Sequence, residues 1–137
     1  MDKRLFYVLN NARHRVYRYA EQRSEEHLDI SVTQVGALFL IAEHEGCLLK
    51  ELAQHLNLNN SALTGLAARM EANGLIQRKA CSSDGRASRL YLTALGRCKI
   101  DAARPLIAEL NRSMTDGFTP AEVEIILRFL NRLITDF

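Results

Sequence analysis

The sequence predicts a mainly α-helical chain carrying one small β-hairpin, and three observations predict it. Proline occurs only at Pro105 and Pro120 in 137 residues, too few breakers for a sandwich of short strands. Apolar residues recur at helical spacing along most of the chain. The exception is a stretch where two strand-like runs, Leu75 to Lys79 and Leu90 to Leu92, flank the polar tip Ser82-Ser83-Asp84-Gly85-Arg86.

Leu5, Leu9, Ala12, Val16 and Tyr19 form an apolar line on a helix over 3–28. Its other faces carry Arg4, Arg13, Arg15, Arg18 and Arg23. A stripe this long and narrow needs a partner to pack on. After a break at Leu28-Asp29-Ile30, Ser31 and Gln34 have capping-box spacing and start a helix running to about Glu45, rich in Val35, Leu38, Phe39, Ile41 and Ala42 and stopped by Gly46. A short helix from Leu49 to Leu56 turns Leu49, Leu52, Ala53 and Leu56 inward.

Asn57 to Asn60 make a polar turn in which Asn59 or Asn60 caps the next helix, Asn60 to Asn73. That helix turns Leu63, Leu66, Ala67 and Met70 inward and ends at Gly74. The pair has the size of a helix-turn-helix. After the hairpin, Thr93 caps a helix that Pro105 should kink or restart, and Gly117 ends it. Thr119-Pro120-Ala121-Glu122 opens a last helix. Its stripe is Val123, Ile126, Leu127, Leu130, Leu133, Ile134 and Phe137.

The length fits a single domain, 1–137. Helices over 3–28 and 94–137 bracket a lobe over 30–93. The end stripes exceed what that lobe can cover, so a homodimer is expected, with Leu5, Leu9, Val123, Leu127, Leu130, Ile134 and Phe137 in its interface.

The formal net charge is only +2, so a polyanion would have to be bound by local charge and not by the sum. From Asn59 to Leu92 the bases are Arg69, Arg78, Lys79, Arg86 and Arg89, and the acids are Glu71 and Asp84. Five against two is a surplus of three, larger than that of the whole chain. On the Asn60 helix, the face away from the core carries Asn60, Ser61, Thr64, Gly65 and Ala68, with Arg69 a turn beyond. Small, hydrogen-bonding side chains near a helix N-terminus suit entry into the DNA major groove. Arg86, at the hairpin tip, suits the narrow minor groove. Asp84 can brace a wing arginine. Helix and basic hairpin together read as a winged helix-turn-helix on double-stranded DNA. The face is lean at Gly65 and Ala68, which leaves a dimeric winged-helix interaction module as the alternative.

These residues give the chain a resemblance to the MarR family of transcriptional regulators. It rests on Gly74-Leu75-Ile76-Gln77-Arg78, on Asp84-Gly85-Arg86, and on Leu90-Tyr91-Leu92-Thr93-Ala94-Leu95-Gly96. Glu51-Leu52-Ala53 and the Ile30-Ser31-x-x-Gln34 helix start match as well. The resemblance implies a homodimeric repressor on a pseudo-palindromic operator, with recognition helices in successive major grooves and wings in the flanking minor grooves. It makes Arg86 the minor-groove residue and Asp84 its brace. It also implies release by a small, often phenolic or anionic ligand held between the dimerisation helices and the lobe. Tyr7, Arg13, Tyr17, Phe39 and His44 are the candidate lining for an aromatic or anionic effector.

Cys47, Cys81 and Cys98 are odd in number and widely spaced, which argues for a reducing compartment. Without a signal-like N-terminus or a long apolar run, the expected location is the cytoplasm, with no membrane partner. Cys81, next but one to Lys79, makes a thiol-based redox regulator a second alternative. Glu43, His44 and Cys47, with His55 nearby, have metal-ligand residue types, but no histidine follows His55 and no metal or cofactor is expected. No constellation suited to catalysis is present, so no enzyme is expected and no catalytic residue is assigned.

Overall fold

The computed structural model describes residues 1–80 and 87–137. These form two compact units, Met1–Pro105 and Leu106–Phe137.

In the first unit, helix α1 (Leu5–Leu28) ends where Asp29 takes a left-handed conformation, φ 58°. Ser24, buried, donates its hydroxyl to the Ile30 carbonyl at 2.6 Å, and Glu21 accepts from the Val32 amide, so the end of α1 is tied to the start of the next helix. That helix, α2 (Val32–Glu43), is capped by Ser31, whose Oγ accepts from the Gln34 amide at 3.2 Å. No residue from Val32 to Ile41 is exposed. Helix α2 stops two residues before the expected Glu45. His44 leaves helical geometry, and the Gly46 amide donates to the Leu90 carbonyl, drawing the chain toward a sheet.

The strand made there, β1 (Cys47–Leu48), was not foreseen from the sequence. Two residues are too short for an alternating pattern to show. Helix α3 (Leu49–Leu56) follows directly, with Glu51 accepting from the Leu48 amide. Asn57, φ 54°, turns the chain toward α4 (Asn60–Ala72). Of the two candidate caps, Asn59 is the one used: its Oδ1 accepts from the Ala62 amide at 2.8 Å. The predicted inward set, Leu63, Leu66, Ala67 and Met70, is buried.

Strands β2 (Ile76–Ala80) and β3 (Ser88–Leu92) pair antiparallel, from Ile76 opposite Leu92 to Ala80 opposite Ser88. With β1 the order is β1-β3-β2, and Cys47 faces Leu90. Leu38, Ile41, Leu63, Met70, Leu75, Ile76 and Leu90 are fully buried and form the centre of the core.

Thr93 caps α5 (Ala94–Thr115): its Oγ1 accepts from the Gly96 amide and donates to the carbonyls of Gly74 and Leu75. Gly96 lies against the Leu75 carbonyl so closely that a Cβ there would come within 2.2 Å of the oxygen. Glu45 joins the same region, accepting from the Leu92 amide with one oxygen and pairing with Arg97 through the other. The Lys99 ammonium donates to the Leu28 carbonyl, the end of α1.

Of the kink or restart expected at Pro105, the restart does not occur, because α5 is helical throughout Ala94–Thr115. Proline forfeits one backbone donor there. The second unit holds the rest of α5 and α6 (Pro120–Asp136), which starts on a reciprocal Thr119–Glu122 capping box with Pro120 at its first turn.

Candidate nucleic-acid interface

Helix α4 divides sharply into two faces. Opposite its buried row, Asn60, Ser61, Thr64, Ala68 and Arg69 are exposed and Gly65 is half-buried. Thr64 turns its hydroxyl back to the Asn60 carbonyl at 2.8 Å. The Arg69 guanidinium folds toward the helix N-terminus over Gly65, where a Cβ would lie 3.3 Å from Nη1. Side chains on a helix lean that way by default. The position that looks lean in sequence is therefore covered by an arginine from the next turn.

The wing bases have distinct environments. Arg78 is held by Glu71 at the end of α4, donating through its backbone amide, Nε and Nη2 at 3.0 to 3.2 Å. The guanidinium lowers the Glu71 carboxyl below its ordinary range, chiefly through the side-chain hydrogen bonds. Lys79 lies over the Tyr91 ring, 4.7 Å from its centroid. Arg89 donates Nη1 to the Gly46 carbonyl at 2.9 Å, fastening β3 to the turn before β1. Asp84 and Arg86, with Cys81, lie outside the described residues.

Glu71 and Tyr91 were missed in the sequence reading. Their partners lie across the turn at Gly74 and across the strand pair, and no short-range spacing signals either contact.

The family model that matches this chain is that of the MarR family, over residues 30–88. The transcriptional repressor IacR of Pseudomonas putida is 26% identical over 117 residues, covering 85% of this chain and 70% of that protein. The organic hydroperoxide resistance transcriptional regulator of Bacillus subtilis is 39% identical over 69 residues, 50% of this chain and about half (47%) of its own length. In the S. aureus MepR–DNA complex, the matching chain superposes with a TM-score of 0.91 at 20% identity, over 99% of this chain and 100% of that one. The chain carries a MarR-like lobe.

The proteins this chain matches are DNA-binding transcriptional regulators. The fold of the chain is the expected winged helix-turn-helix, with six helices and a small antiparallel sheet among the described residues. No helix among the described residues is long and apolar enough to cross a membrane.

The other candidate residues of the chain fall in separate places. Tyr7 stacks under Arg4, Tyr17 shares a hydrogen bond with Thr33 at 3.0 Å, and the Arg104 guanidinium lies over Phe39. Arg13 is exposed on α1. His44 lines an open cleft of about 460 Å³ with Leu40, Cys47, Glu51, Leu52 and His55, and the other four are not part of it. Among the described residues no three His, Cys, Asp or Glu side chains converge as metal ligands. Cys47 is buried, and burial together with the charges of Glu51 and Glu45 raises its thiol pKa; Cys98 is exposed.

The end helices keep apolar groups at their surfaces. On α1, Leu5 and Phe6 are exposed and Leu9 is half-buried. On α6, Leu127, Ile134 and Phe137 are exposed, while Val123 and Leu130 are half-buried. No residue of α6 is buried.

Proposed function

We propose that this chain is a cytoplasmic, homodimeric repressor that binds a pseudo-palindromic operator in double-stranded DNA and is released by a small molecule. The observation that carries the reading is the two-faced α4: Asn60, Ser61, Thr64, Ala68 and Arg69 stand exposed on a helix whose other side is locked in the core. A rigidly seated helix with a polar outer face is what reading base edges requires. Lys79, Arg86 and Arg89 supply the phosphate and minor-groove contacts of the wing, and Asp84 braces it.

The dimer follows from the apolar ends. A 24-residue helix that buries only Ser24 and Leu28, and a 17-residue helix that buries nothing, need a further surface to pack on. A second copy of the chain supplies it, and two copies place two recognition helices on the two halves of a palindrome. The effector is an aromatic or anionic molecule, although Tyr7, Arg13, Tyr17 and Phe39 do not share the cleft that His44 lines.

Titrating the protein with the duplex upstream of its own coding region, and with unrelated duplex of equal length, tests the reading. Specific binding should be at least about a thousandfold tighter than non-specific binding at the same salt. Equal, weak affinity for both duplexes would instead favour the interaction module.

A further inference from the structure

The exposed face of α4 holds a donor-only group and a hydroxyl whose proton is already used, one turn apart. Arg69 is the donor. Its guanidinium carries five N–H groups and no acceptor. It reaches toward Gly65, where, the helix's own backbone apart, Arg69 Nη1 is the one described atom a Cβ would meet within 4 Å, at 3.3 Å, so that a large side chain at 65 would displace it. The neighbouring acid does not draw it away. Glu71 has both carboxylate oxygens engaged by Arg78, and no ion pair among the described residues includes Arg69. Ala68, small and exposed, leaves the guanidinium uncovered.

We propose that Gly65 is a specificity-positioning residue that seats the Arg69 guanidinium against the groove-facing side of α4, so that Arg69 reads guanine. The assignment rests on the DNA-binding reading above. Guanine is the base whose major-groove edge offers two acceptors, O6 and N7, matched to the two parallel N–H groups of an arginine. Beside it, Thr64 donates its one hydroxyl proton to the Asn60 carbonyl, so it offers the groove lone pairs only. That suits an exocyclic amino group, cytosine N4 or adenine N6, on the neighbouring base pair. A guanidinium folded toward the N-terminal turn lies over the part of a recognition helix that enters the groove, and a phosphate contact would draw it outward.

The test uses a duplex enriched by the wild-type protein from a random-sequence library, with each guanine replaced in turn by 7-deazaguanine, which lacks the N7 acceptor. Wild type should lose about 5- to 100-fold in affinity at one guanine per half-site. That loss should vanish in Arg69→Ala and shrink in Gly65→Leu, which fills the seat with a good helix former; circular dichroism melts check that both variants stay folded. Enrichment of a duplex on which every 7-deaza substitution affects wild type and Arg69→Ala alike would overturn the assignment alone. Failure to enrich any duplex would overturn the repressor reading, and this assignment with it.

Discussion

Glu71 accepts three hydrogen bonds from Arg78 and so ties the last turn of α4 to strand β2. The pair holds the Glu71 carboxyl below its ordinary value of 4.5. A carboxyl lowered on folding stabilises fully above its unfolded pKa, and the effect is lost as pH falls through the folded value. Thermal melts of wild type and Glu71→Gln should therefore differ at about pH 7 and converge once the pH drops well below about 4.5. A constant gap between them down to about pH 3 would assign the difference to something other than this ionisation.

The same pair predicts a contrast within the wing. Arg78 is already compensated by Glu71, so Arg78→Ala should leave the salt dependence of DNA binding nearly unchanged. Arg86→Ala should weaken binding on all sequences and reduce the salt slope by about one. Equal slopes for Arg86→Ala and wild type would remove Arg86 from the interface.

Gly96→Ala should be among the most damaging single-methyl changes in the chain. The added Cβ would sit 2.2 Å from the Leu75 carbonyl oxygen, a backbone atom that cannot rotate aside. Overpacking of this kind costs about 2 kcal/mol or more. Urea unfolding would measure it, and a midpoint equal to wild type would mean that α5 can slide away from β2.

Ile134→Asp should yield monomers in sedimentation velocity without lowering the secondary structure content. Ile134 is 79% exposed, so the charge disturbs nothing inside one chain. Leu130 is the poorer probe because it is half-buried, and its loss would also weaken the unit that holds it. A dimer that survives Ile134→Asp would place the interface elsewhere.

Cys98 should react with iodoacetamide well before Cys47. Thiolate is the reactive form, and burial and two nearby carboxylates keep Cys47 protonated. Peptide mapping after brief alkylation at about pH 7.5 reads the order. Faster labelling of Cys47 would mark it as a candidate sensor and favour a redox-responsive regulator.

Most helices were legible in the sequence because their signals are local. Ser31, Asn59, Thr93 and Thr119 cap where their spacing says they should, and the buried row of α4 follows its periodicity. What escaped notice depends on residues far apart in sequence. Strand β1 exists because Cys47 and Leu48 lie beside Leu90 and Arg89. The occupancy of the recognition face was misjudged for a related reason: Gly65 looks empty in a string of letters and is covered by Arg69 in three dimensions. The charge count over the wing was sound, but it could not reveal that Arg78 is held by Glu71.

The single carboxylate of Glu45 grips both the end of β3, at Leu92, and the start of α5, at Arg97. Strand and helix are thereby joined through Glu45, beside the Thr93 cap. A displacement of the first turn of α5 is handed to the end of β3 through one carboxylate.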